Sequence, residues 1–106
     1  MKLHKLSDMQ GGWFAGHFDP TLVKTSDFEV AVKKYAAGAY EKKHFHKQAT
    51  EFTVIINGSV KMNGVEYTDG DIIEIATNEA TDFLALTDVV TVVLKTPSVA
   101  NDKFLV

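Results

Sequence analysis

The chain has 106 residues, no cysteine and a formal net charge of −3, with 45% hydrophobic and 24% charged residues. That length suits a single domain spanning 1–106. The missing cysteines exclude disulfide staples, thiolate metal sites and a cysteine nucleophile, and the acidic balance argues against a nucleic-acid partner, which needs a basic face.

The N-terminal residues Met1 to Leu6 contain no apolar run of signal-peptide length. No later stretch is apolar for long enough to cross a bilayer, so a cytoplasmic protein without a membrane partner is expected. The region through Pro20 reads as irregular. Phe28, Val30 and Val32 then alternate with Glu29, Ala31 and Lys33, the period-two pattern of a half-buried strand. A run rich in β-branched residues from Thr50 to Asn57 predicts a second strand, ended by Gly58. Ser59 to Met62 and Val65 to Thr68 flank Asn63-Gly64, a pair suited to the left-handed dihedrals of a tight hairpin. Asp69-Gly70 marks the next turn. Ile72 to Ile75, Phe83 to Thr87 and Val89 to Lys95 continue the series, and the tail after Pro97 reads as irregular. Short strands with regular turn signals predict an all-β sandwich or barrel.

Within the Thr50 to Asn57 strand, Glu51, Thr53 and Ile55 share one face while Phe52, Val54 and Ile56 share the other. If Glu51 faces the interior, the outward side is strongly apolar and needs a cover. Either the segment around Trp13 and Phe14 or a second subunit can supply it, and a homodimer is expected.

The chemistry concentrates at His44, His46 and Glu51. Two histidines one residue apart on a strand share a face, about 7 Å apart at Cα. Their ring nitrogens can reach one ion at bonds of about 2.1 Å. Glu51 lies across a short turn on a neighbouring strand, about 4.8 Å away. Two histidines and a carboxylate form a facial triad that leaves coordination positions open. Other candidates are weaker. His4 and His17 read as surface or packing residues. Tyr35, Tyr40 and Phe83 are possible lumen walls, with Phe83 the first choice. Asp71 and Glu74 read as turn and surface groups, and Lys95, Asp102 and Lys103 have no assignable chemical partner. There is no nucleophile motif, phosphate-binding glycine loop or zinc-finger spacing.

The spacing of Gly38, His44, His46, Glu51 and Gly58 resembles the first motif of the cupin superfamily at every fixed position. The second motif is matched only by Gly70. Ala76, Asn78, Thr81 and Ala85 stand where that family carries proline, glycine, histidine and asparagine. The resemblance implies a cupin double-stranded β-helix, or jelly-roll barrel, covering Phe28 to Lys95. It implies a divalent metal ion (Fe, Mn, Ni or Zn) on His44, His46 and Glu51, without the family's fourth ligand, because Thr81 replaces it. The partner is then a small-molecule ligand or substrate. Three functions stay open: a metal-dependent enzyme on a small polar substrate, a non-catalytic binding module for a small molecule or sugar, and a metal-free sugar-nucleotide isomerase in which His44 or His46 moves a proton.

Overall fold

Ten strands build two antiparallel five-stranded sheets in the computed structural model, which describes residues 1–106. The first sheet runs β1 (Trp13–Ala15), β2 (Glu29–Tyr35), β9 (Val89–Thr96), β4 (Thr50–Asn57), β7 (Ile72–Ile75). The second runs β10 (Phe104–Leu105), β3 (Tyr40–Phe45), β8 (Thr81–Ala85), β5 (Ser59–Met62), β6 (Val65–Thr68). The two sheets face each other as the halves of a jelly roll.

The bounds of β4, β5, β6 and β7 coincide with the strands expected from the sequence. Turn chemistry explains this. Asn63 and Gly64 both take positive φ, 49° and 79°, as a hairpin matched to the strand twist requires. Gly58 ends β4 at φ 103°, where an added Cβ would lie 2.3 Å from the Asp88 carbonyl oxygen. Only glycine fits that close approach. The expected Phe83 to Thr87 strand is displaced to Thr81–Ala85. Both termini, expected to be irregular, each add a short edge strand, β1 and β10. Strands of three and two residues carry too little alternation to stand out from a loop. The remaining helical pieces are two 3-10 turns, Leu6–Asp8 and Gln10–Gly12, and no helix is long and apolar enough to cross a membrane.

The faces of the first sheet depart from the ordinary rule of apolar inside and polar outside. Ala31, Thr53, Thr91 and Val93 are buried, and Lys33, Tyr35, Glu51 and Lys95 line the interior cavity beside the last three. The register sets Glu51 beside Lys95, Thr53 beside Val93 and Lys33 beside Thr91. By strand alternation Val30, Val32, Phe52, Val54, Val92 and Leu94 face outward. The valines of β2, which the sequence pattern would place in a core, thus lie on the outside.

The Trp13 ring does not cover that outward face. Trp13 pairs with Ala31 and its ring lines the interior. The apolar core proper fills one end of the barrel: Ile55, Val60, Met62, Ile75, Phe83, Ala85 and Val89 form one buried cluster. Each fully buried aliphatic side chain there contributes about 2 kcal/mol. The other end remains polar and open.

Candidate functional site

A cavity of about 70 Å³ occupies the polar end, and His44, His46 and Glu51 all line it. β3 supplies Glu41 and His44, and the residue just beyond its end supplies His46. Glu41 and His44 are three apart, a spacing that regular alternation would send to opposite faces. The register between β3 and β8 shifts between these two residues, and the bulge brings both to the cavity.

His46 is buried and its orientation is fixed. Nδ1 donates to the Asp102 backbone carbonyl, because a carbonyl can only accept. Asp102 is itself anchored: its carboxylate accepts from the backbone N–H groups of Lys47 (2.9 Å), Gln48 (3.1 Å) and Ala49 (3.0 Å). Burial alone would raise the Asp102 carboxyl, but these three amides outweigh it and hold its pKa below the usual 3.8. The turn between β3 and β4 is thus tied to the tail. A backbone carbonyl behind a histidine ring selects the tautomer whose Nε2 is free to ligate.

His44 repeats the arrangement, its Nδ1 donating to the Lys42 carbonyl at 2.9 Å. Burial pushes the His44 imidazole below its ordinary pKa, against the pull of that carbonyl. The neutral, ligating form is therefore favoured. The two rings stand 5.4 Å apart at their centroids, nearly perpendicular at 79°.

Glu51 on β4 faces this pair. Its Oε2 accepts from the Thr53 hydroxyl at 2.8 Å, and its Oε1 lies 3.5 Å from His46 Nε2. Burial would raise its carboxyl, but His46 when protonated on Nε2, together with the Thr53 hydroxyl and Lys95, pulls it below the usual range. The structure therefore brings His46 and Glu51 into direct apposition, with His44 on the same cavity wall. The three do not yet close around a common point. Thr81 stands opposite His44 in the register, its hydroxyl donating to the Asp82 carbonyl at 2.8 Å.

The other sequence candidates divide. Phe83 and Tyr35 line the cavity and lie ring to ring at 4.6 Å. Tyr40 does not: it is 57% exposed, its hydroxyl turned to Asp82, because the parity of β3 sends it outward. His4 and His17 are exposed. Asp71 closes a turn by accepting the Thr68 N–H at 2.8 Å.

Sequence reasoning missed Trp13, Lys33, Glu41 and Lys95 as cavity residues. Tyr35 donates to Glu41 Oε1 at 3.2 Å, and Lys33 Nζ lies 3.9 Å from Glu41 Oε2. Burial, then the Glu41 charge, raises the Tyr35 phenol far above its ordinary pKa, so it stays protonated. Lys33 and Lys95 share parity with Ala31 and Thr91, a signal that was readable once the inward face of either strand was known. Nothing in the sequence marked Asp102 as the anchor of His46.

No family model and no curated protein sequence matches the chain. Solved structures do. A protein with a double-stranded β-helix domain from Klebsiella pneumoniae superposes with a TM-score of 0.72 at 16% identity, over 98% of this chain and 90% of that one. An RmlC-like cupin from Shewanella frigidimarina gives 0.66 at 16% identity, over 72% and 71%. The DMSP lyase DddQ from Ruegeria pomeroyi gives 0.72 at 17% identity, over 88% of this chain and 49% of that one. The chain therefore has the cupin double-stranded β-helix fold.

Proposed function

We propose that the chain holds one divalent metal ion on His44, His46 and Glu51 and uses it to bind a small polar molecule in the barrel. The carrying observation is the apposition of His46 Nε2 and Glu51 Oε1. With its proton on Nδ1, neutral His46 presents a lone pair to a carboxylate oxygen 3.5 Å away. Nε2 is buried and has no hydrogen-bond partner. Two acceptors facing each other in a buried site call for a cation between them. The donor set, two imidazoles and a carboxylate, suits Fe, Mn, Ni or Zn. Bound there, the ion supplies Lewis acidity to a ligand in an open coordination position. The resemblance to a DMSP lyase supports a small substrate.

The cation can also be a proton. In the second reading His46, protonated on both nitrogens and paired with Glu51, is a general acid and no metal is needed. Titration of chelator-stripped protein with Zn²⁺, Ni²⁺ or Mn²⁺ separates the two. The expected result is one ion per chain, and saturable binding by none of them overturns the metal reading.

The same proposal includes a homodimer through the outer face of the first sheet. Val30, Val32, Phe52, Val54, Val92 and Leu94 are only half-buried, and Ile56 and Ile72 beside them are 52% and 66% exposed. Lys34 and Glu74 stand at diagonal corners of this face. A two-fold, face-to-face copy can therefore set the lysine of one chain against the glutamate of the other. Sedimentation at micromolar concentration should give twice the chain mass, and Val54→Lys, placing a charge mid-face, should give the monomer. A wild-type monomer refutes this.

A further inference from the structure

The cavity carries a charge that the proposed metal site does not use. Four carboxylates line it, and each is already engaged. Glu51 holds the Thr53 hydroxyl, Glu41 the Tyr35 phenol, Glu79 the Ala76 N–H and Asp82 the Asn63 N–H. Lys95 is different. It enters the cavity from β9 with no hydrogen-bond acceptor and no carboxylate within 4.0 Å. Its ammonium rests 5.0 Å from the Trp13 ring centroid. Lys33 approaches the same ring at 5.6 Å from the other side of the Ala31 rung. Between the lysines lies the apolar Ala31–Val93 rung, which offers no counter-charge to Lys95, while Lys33 Nζ lies 3.9 Å from Glu41 Oε2. Thr91, on the Lys33 rung, adds a buried hydroxyl without a partner.

We infer that this end of the cavity is an anion subsite, taking the carboxylate of a small organic acid between Lys33 and Lys95 against the face of Trp13. The inference rests on the reading of the cavity as a ligand site and adds the class of ligand. A half-buried ammonium with no carboxylate within 4.0 Å favours an anion that reaches it. The size of the cavity, room for about five water molecules, selects an acid of few heavy atoms. The carboxylate end would lie on the first sheet and the rest of the molecule would extend toward His46 and Glu51.

A rival role for Lys95 is as counter-charge to Glu51, its cross-strand neighbour. The experiment uses Trp13, the sole tryptophan, as reporter. Its emission is followed while full-length, metal-loaded protein is titrated with glycolate, with the neutral isostere glycolamide and with inorganic phosphate. Zn²⁺ affinity of each variant is measured in parallel. The proposal expects a saturable change with glycolate, none with glycolamide, and a Kd raised at least about tenfold in Lys95→Met and in Lys33→Met, while Zn²⁺ affinity stays within about threefold of wild type. Equal responses to glycolate and glycolamide overturn it, as does unchanged glycolate affinity in both variants. So does a response to phosphate alone, which assigns the subsite to phosphate. If Lys95→Met alters only Zn²⁺ affinity, Lys95 serves Glu51 and the subsite is refuted while the metal reading stands. A lysine-dependent glycolate response in protein that binds no Zn²⁺ supports the subsite and refutes the metal reading instead.

Discussion

Replacing His46 by alanine is expected to weaken divalent-metal binding by more than about 100-fold, beyond the range that changes behind a ligand usually produce. The imidazole is buried, its tautomer is set by the Asp102 carbonyl, and its Nε2 has no other partner. The loss is therefore that of a pre-oriented ligand. Glu51→Gln should also cost more than about tenfold, because the ligand charge disappears while the Thr53 contact can persist. Thermal melts of the metal-free variants separate lost ligation from lost fold. Burial lowers the His44 pKa, so its ring stays neutral to lower pH than an exposed imidazole. Metal affinity should fall as the pH drops and protons displace the ion. Wild-type metal affinity in His46→Ala refutes the assignment.

The second large effect concerns stability. Asp102→Ala is expected to destabilise the fold by about 3 kcal/mol, roughly one for each backbone amide that loses its acceptor. Asp102→Asn, which keeps one carbonyl oxygen, should cost less. The pH dependence has a definite sign. The folded-state pKa of Asp102 lies below its ordinary value, so its contribution is complete above the unfolded pKa of about 3.9 and is lost as pH falls through the folded one. Urea titrations across the acid range should show a shallower decline for Asp102→Ala than for wild type. A cost under about 1 kcal/mol in that variant contradicts the clamp. Metal affinity offers a further check, since the carbonyl that orients His46 belongs to the same residue.

The strands most legible in the sequence were those bounded by turn residues with a steric reason to be there. Gly58, with its positive φ against the Asp88 carbonyl, and the Asn63-Gly64 hairpin fix β4, β5 and β6 within a few residues of chain. The His44, His46 and Glu51 neighbourhood was legible because spacing on adjoining strands dictates proximity. The lining opposite was not. Hydropathy assigns Val30 and Val32 to an interior and Lys33 to solvent, whereas the barrel turns Lys33 inward around a polar cavity. Alternation identifies two faces but does not say which one points in. Asp102 was invisible for another reason. Its partners lie more than fifty residues away, and no local pattern announces a contact of that range.

The tail contact also bears on exchange kinetics. The segment that carries Asp102 is held by a two-residue edge strand and by the turn it caps. Such a segment detaches at lower free energy than the sheets beneath it unfold. When it lifts, His46 loses the acceptor that sets its ring, and the β3–β4 turn loses its clamp. The lifetime of anything ligated at His46 is then governed by how often this strap opens.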